Sequence, residues 1–192
     1  MVRRNLETSS DMPLTSRLLI LSVSLLPLHA VGARLAVPLV EAVKQADANA
    51  VRALLGDDDQ VDVNAAEADG TTALHWAVRL ERVEMAALLI AAGADVTATN
   101  VFDVTPLSLA AVNGDPTMLE TLLEAGADPN TTAQGDAVLL TAARTGRADA
   151  IRTLVAHGAD ANVTQGAGHT PLMWAAAEGH VEAIQALIDA GA

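Results

Sequence analysis

The sequence predicts an all-α solenoid of about five helix pairs joined by short β-turn or hairpin loops. The first observation is a recurring seven-residue block, with spacings of 33, 32 and 33 residues: TALHWAV at 72–78, TPLSLAA at 105–111, AVLLTAA at 137–143 and TPLMWAA at 170–176. The second is a composition that is 51% hydrophobic but only 2% aromatic, so the core must be built from Ala, Leu and Val. Ala and Leu favour helices, and self-similarity at this period is typical of repeat units that stack in a line.

Residues 1–33 are predicted to be a secretory signal peptide. The segment RLLILSVSLLPLHAVGA at 17–33 has a basic residue, a leucine-rich run and small residues before a cut after Ala33. The run is shorter than the roughly 20 apolar residues of a membrane anchor, and Pro27 and His29 interrupt it. An uncleaved anchor and a buried helix are the alternatives.

The mature product is therefore expected to span residues 34–192 and to be periplasmic or secreted, without stable membrane insertion after signal removal. A start at Met12 would shorten the long region before the apolar run. The Ala- and Arg-rich composition, with Lys44 as the single lysine, favours a bacterial source.

The first helix of a repeat begins at the Thr-Pro pair. The Thr hydroxyl caps free amides of the first turn, and the Pro at the next position has a suitable backbone angle and needs no amide partner. Thr105-Pro106 and Thr170-Pro171 are such starts. The fourth unit has Ala137-Val138 instead, which predicts a less stable joint.

Glycines are predicted to end the helices in a left-handed conformation, which only glycine adopts without cost. Glu81 stands where the first of these turns is expected, and it should cost about 1 kcal/mol if the left-handed angle is kept. The predicted glycine ends are Gly114, Gly146 and Gly179 for the first helices, and Gly93, Gly126, Gly158 and Gly191 for the second helices.

The second helices carry an apolar stripe with spacing i, i+3, i+4, which a single unit cannot bury and stacked neighbours can. The first unit, at 37–55, is the most divergent, and the acids at 57–59 behind it are expected to form a solvated loop. The stripes are Val51/Leu54/Leu55, Ala86/Leu89/Ile90, Leu119/Leu122/Leu123, Ile151/Leu154/Val155 and Ile184/Leu187/Ile188.

The repeating unit resembles the ankyrin repeat over residues 37–192. The similarity lies in the Thr-Pro-Leu-His opening, the Gly-His turn and the Gly-Ala-Asp-x-Asn close, seen as EAGAD at 124–128 and AHGAD at 156–160. The resemblance implies a monomeric, non-catalytic scaffold that binds another protein through loop tips and a concave helix face. The last repeat stops before its Asp-x-Asn loop, so we expect it to be incomplete and the chain to continue into further repeats or another domain.

Charge and composition exclude several functions. A net charge of -13, from 24 acidic and 11 basic residues, repels nucleic acid and anionic membrane surfaces. The chain has no cysteine, so disulfides and thiol catalysis are excluded.

Four histidines and two tryptophans are candidate site residues, but the repeat pattern favours a structural role for each. Each histidine occupies a position explained by the repeat, and no pair has a metal-ligand spacing such as His-x3-His. The acids are dispersed, so no general acid/base pair is proposed, and we expect no metal, no cofactor and no enzymatic activity. The tryptophans recur in register, which favours interior packing. These residues are His75, His157, His169, His180, Trp76 and Trp174.

Partner-binding residues should break the repeat pattern without filling the core. Val101 and Phe102, in the tip NVFDV at 100–104, stand where the neighbouring tip has ADG at 68–70. Phe102 is either an exposed anchor or folds back over Val104 or Leu107. The adjoining surface is predicted to include the ends of the first helices, at Arg79, Leu80, Asn113, Arg144 and Glu178.

Two other functions remain open from the sequence. The repeats are an accessory region of a larger cell-envelope protein whose activity lies elsewhere, or the histidines form an enzyme or metal-carrier site. Stoichiometric zinc in purified protein would support the latter.

Overall fold

The computed structural model describes residues 38–56 and 61–192. Within these ranges the chain forms ten helices in five consecutive pairs, as predicted. The predicted signal peptide and the acids at 57–59 lie outside the described residues. The pairs are α1 (38–44) and α2 (Ala48–Gly56), α3 (Ala73–Arg79) and α4 (Val83–Ala91), α5 (Pro106–Asn113) and α6 (Pro116–Glu124), α7 (Val138–Arg144) and α8 (Ala148–Ala156), and α9 (Pro171–Ala177) and α10 (Val181–Asp189).

The helices stack in two layers. The first helices pack α3 on α5, α5 on α7 and α7 on α9, while the second helices follow the order α2, α4, α6, α8, α10. Each of α3, α5, α7 and α9 also packs on its own second helix. Because every repeat contacts only its neighbours, the array is a solenoid.

Short β-structures at the loop tips join the repeats. Strands β1 (Thr132–Ala133) and β2 (Asp136–Ala137) form an antiparallel hairpin. The tips before α3 and α9 contain isolated bridges, Ala66 with Thr72 and Gln165 with His169. The predicted hairpin loops are confirmed.

The predicted helix starts are confirmed. The side-chain oxygens of Thr72, Thr105 and Thr170 each accept a hydrogen bond from the amide three residues later, and Pro106 and Pro171 begin their helices. At α7 the N-cap residue Ala137 makes no side-chain cap, as its sequence implied.

The predicted helix ends are also confirmed. All seven predicted glycines have positive φ, between 71° and 99°. Glu81 has φ 56°, so this non-glycine residue keeps the left-handed angle of the turn. Its cost is therefore present in the folded protein.

Leu and Ala columns form the core between the layers. Leu74, Leu107 and Leu139 are at most 2% exposed, and the Ala three positions after each is fully buried. The stripe predicted for the second helices is right at its first two positions in α4, α6 and α8. Its third position is half-buried at Ile90 and Val155, buried at Leu123 and 52% exposed at Ile188. The residue before the stripe is buried instead, since at 3.6 residues per turn it lies nearer the centre of the inward face.

Candidate functional site

The outward side of the first helices forms a continuous surface, here called the first-helix face. In α3, α5, α7 and α9, the residues two and five positions after the repeated Leu lie on this surface, the first half-buried and the second exposed. These pairs are Trp76/Arg79, Leu109/Val112, Thr141/Arg144 and Trp174/Ala177.

The expectation that the tryptophans pack in the interior is met in part by Trp76 and is wrong for Trp174. Trp76 and Trp174 are half-buried on the first-helix face. Trp76 packs one side against the core, and Trp174 does not belong to the core cluster. The repeats contain a signal that distinguishes this column. The columns of Leu74 and Ala77 keep Leu and Ala in α3, α5, α7 and α9, whereas the Trp76 column changes from Trp to Leu to Thr to Trp.

Trp76 belongs to a closed group of charged side chains, the Trp76 cluster. One carboxylate oxygen of Glu67 lies 2.7 Å from Lys44 Nζ, and the other accepts a hydrogen bond from Trp76 Nε1 at 2.6 Å. The hydrogen bond from Lys44, together with that from Trp76, lowers the pKa of Glu67 below its usual 4.5, although burial opposes this. Lys44 Nζ and Arg79 Cζ also lie 4.3 Å and 5.3 Å from the Trp76 ring centroid, within cation–π range.

Trp174 lines an open cavity of about 210 Å³, here called the Trp174 pocket. A guanidinium nitrogen of Arg144 lies 3.9 Å from Asp136 Oδ2, at the outer limit of an ion pair. The rings of His169 and Trp174 are 5.7 Å apart. The lining residues include Asp136, Leu140, Arg144, Gln165, His169 and Trp174.

Backbone hydrogen bonds hold the exposed tip at 100–104. Val101 and Phe102 are 69% and 62% exposed, so the alternative in which Phe102 folds back over the scaffold is wrong. Val101 N donates to Asp69 O at 2.8 Å, and Asn100 Oδ1 accepts from the amides of Phe102 and Val104. These bonds use the tip backbone and leave the Phe102 ring in solvent.

The predicted helix-end residues do not adjoin this tip. The tip precedes α5, whereas the helix-end residues follow the opposite end of each first helix, about 10 Å away for seven residues at 1.5 Å each. Asn113 is engaged in the scaffold, since its Nδ2 donates to Val78 O at 3.0 Å, and Leu80 is half-buried. Arg79 and Glu178 are exposed, and Arg144 reaches back along α7 to the Trp174 pocket.

Three histidines have the structural roles that their repeat positions predicted. His75 is 1% exposed, and its Nε2 donates to Val104 O, because a carbonyl can only accept. Its Nδ1 is therefore unprotonated and accepts from Thr72, and burial lowers the pKa of this ring. His180 Nε2 pairs with Arg144 O, and His157 Nδ1 pairs with Thr153 O.

His169 differs from the other histidines. Its backbone pairs with Gln165, but its ring lies against Trp174 and has no hydrogen bond within the described ranges. Within residues 38–56 and 61–192, no three His, Asp or Glu side chains are grouped so as to hold a metal ion.

The last repeat exposes positions that earlier repeats bury. Met173 is 56% exposed, whereas its counterpart Leu140 is 2% exposed. Ile188 is 52% exposed, whereas its counterparts Val155 and Leu123 are half-buried and buried. The outer side of α9 and α10 is therefore an apolar end face.

In the described part of the chain, no helix combines the length and the apolar character needed to cross a membrane. No curated protein matches the chain in sequence. The family model described as ankyrin repeats (3 copies) matches residues 24–100 and 107–192. This match covers most of the chain and begins ahead of the predicted cleavage after Ala33. Together with the five stacked helix pairs, it shows that the chain belongs to the ankyrin-repeat family, whose repeats generally act as protein–protein interaction modules.

Proposed function

We propose that this protein is an exported bacterial scaffold, monomeric and without catalytic activity, that binds a protein partner through the tip at 100–104 and the first-helix face. The observation that carries this proposal is the exposure of Val101 and Phe102 on a hydrogen-bonded loop. An exposed aromatic ring on a fixed backbone loses little conformational entropy on binding, which favours it as an interface anchor.

The charge of the first-helix face supports binding there. The ends of α3 and α7 carry the exposed cations Arg79 and Arg144, although the chain has a net charge of -13. Two cations on one face of an acidic protein give this face an electrostatic pattern that a partner can recognise.

The test requires the partner, obtained by crosslinking in the native envelope followed by affinity capture. Phe102→Ala should weaken binding at least about tenfold, the loss of a moderate hot spot, and leave the melting temperature nearly unchanged. Val181→Ala, at a position 75% exposed on α10, is the matched control and should change neither quantity. Unchanged affinity of the Phe102 variant, or a large loss of stability, would assign Phe102 to the scaffold.

Export is tested separately by intact-mass measurement of the protein recovered outside the cytoplasm. We expect a soluble product that begins after Ala33. A product that retains residues 18–28 and stays with the membrane would contradict the proposed processing.

The alternative function, an accessory region of a larger cell-envelope protein, is favoured by the apolar end face with Met173 and Ile188. Further protein that covers this face would stabilise the last repeat by burying apolar surface. An added repeat with a polar outer side should then raise the unfolding midpoint. A 192-residue product that is monomeric, cooperative and no less stable than the capped version would count against this alternative.

A further inference from the structure

The Trp76 cluster and the Trp174 pocket are built from equivalent positions of different repeats. Trp76 follows Glu67 by nine residues, and Trp174 follows Gln165 by nine residues. The amides of Glu67 and Gln165 both donate to the carbonyl four residues later. The cations also correspond: Lys44 ends α1, the first helix before the Trp76 repeat, and Arg144 ends α7, the first helix before the Trp174 repeat.

The two sites differ at the position that Glu67 occupies. In the Trp76 cluster the Glu67 carboxylate joins the cation to the indole N–H. In the Trp174 pocket Gln165 occupies that position, and its Nε2 donates to Gly135 O at 2.8 Å. No residue in the described ranges accepts a hydrogen bond from Trp174 Nε1, and the space beside the ring is open.

We propose that the Trp174 pocket binds a carboxylate of the protein partner, which takes the place that Glu67 occupies in the Trp76 cluster. The carboxylate accepts from Trp174 Nε1 and from the guanidinium of Arg144, and these charge-assisted hydrogen bonds are stronger than neutral ones. This inference rests on the proposed function and specifies the partner's chemistry.

The size and walls of the pocket suit a single acidic group. Its volume of about 210 Å³ is below that of pockets for drug-sized ligands. Leu140 and the Trp174 ring provide apolar surface for the methylene groups of a glutamate. Arg144 is half-exposed and meets Asp136 only at 3.9 Å, so its guanidinium retains donors for a ligand.

Asp136 also provides a test of the sign of the ligand's charge. Its carboxylate repels an incoming carboxylate and would attract an incoming cation. Asp136→Asn should therefore strengthen the binding of an acidic group and weaken the binding of a basic one. The direction of this change distinguishes the two ligand chemistries.

The experiment follows the indole N–H signals of the full chain by NMR during titration with short peptides. The probe is Gly-Gly-Glu-Gly-Gly, acetylated and amidated, and the matched peptides contain Gln or Lys at the centre. Pentaglycine with a free carboxyl terminus distinguishes a terminal carboxylate from a glutamate side chain. Trp76→Phe assigns the Trp174 signal.

We expect the Glu peptide, the free-terminus peptide or both to shift the Trp174 signal with a dissociation constant of about 1–10 mM, as suits one anchor. The Gln and Lys peptides should not shift it. Arg144→Gln should weaken binding about tenfold, and Asp136→Asn should strengthen it a few-fold. Each variant's thermal melt controls for folding.

Gln165→Glu places a carboxylate of the protein itself at the position that the ligand's carboxylate would occupy. Its carboxylate should move the Trp174 indole signal without any peptide and remove the peptide response. A Trp174 signal that ignores the acidic peptides up to about 20 mM, or that responds to the Lys peptide, would overturn the proposal.

Affinity measurements with a captured partner distinguish failure of the pocket proposal from failure of the proposed function. A partner whose affinity falls with Phe102→Ala but not with Arg144→Gln would refute the proposed pocket interaction and leave the binding surface. Conversely, a partner whose affinity falls with Arg144→Gln but not with Phe102→Ala would refute the tip as the anchor and leave the pocket.

Discussion

Asparagines at the same position of three repeats tie successive loops of the second-helix layer together, and the first example is Asn64. Its Oδ1 accepts from Asp95 N at 2.7 Å, and its Nδ2 donates to Gly93 O at 3.1 Å. Both bonds cross from one repeat to the next, so each contributes directly to the cohesion of the stack.

Asn130 repeats this arrangement with Asp160 N at 2.9 Å and Gly158 O at 3.0 Å. The residue at the intermediate position is Thr97, whose side chain instead bonds Asp95 Oδ1 in its own loop at 2.7 Å. Among the described residues, no side chain makes the corresponding pair of bonds to the loop that begins at Gly126.

Thr97→Asn should restore the missing tie. Two new hydrogen bonds would contribute about 0.5–1.5 kcal/mol each, with values near the lower end because the loops are exposed. The lost bond between the Thr97 hydroxyl and Asp95 offsets part of this gain. We expect a net increase of about 0.5–1 kcal/mol in the free energy of unfolding, or about 1–4 °C in melting temperature for a domain of this size.

Urea unfolding followed by far-ultraviolet circular dichroism measures the effect. Asn130→Thr is the reciprocal variant and should lower stability by about 1 kcal/mol with an unchanged denaturant slope. If Asn130→Thr costs nothing, these hydrogen bonds do not hold the repeats together. If only Thr97→Asn leaves the free energy of unfolding unchanged, the loop geometry at Gly126 does not permit these hydrogen bonds.

Three further changes follow from the structure. Glu81→Gly should raise stability by about 1 kcal/mol in chemical denaturation, because Glu81 has φ 56° and glycine adopts this angle freely. Gly146→Ala should lower the melting temperature more than Gly179→Ala: both positions have positive φ, but a Cβ at 146 would lie 2.7 Å from the His180 ring, whereas none of the described atoms lies within 4 Å at 179. Equal losses would show that the ring moves aside. Burial depresses the pKa of His75 below 6.5, so the unfolded chain binds this proton more readily. Its contribution to stability is present above about pH 6.5 and is lost as the pH falls below that value, and the difference in stability between the wild type and His75→Ser should change over this interval.

The repeat scaffold was predictable because its signals are local. Thr105 caps the amide of Ser108, and Gly114 ends the helix with φ 81°. Such features depend on residues a few positions apart, and their recurrence every 32 or 33 residues indicates the stacking order as well. The exposed Phe102 was one of two alternatives from the sequence, since nothing local decides whether a ring at a loop tip turns inward.

The sequence alone determined the period, the helix boundaries and the family resemblance, because these follow from short-range interactions that recur in each repeat. Only the tertiary structure decided what lies on the first-helix face. The outward direction of Trp76 and Trp174 depends on how each helix is rotated against its neighbours. Lys44 meets Glu67 across 23 residues of sequence, and Arg144 reaches Trp174 only because α7 packs on α9. Contacts between repeats bring these side chains together, and no spacing within one repeat encodes them.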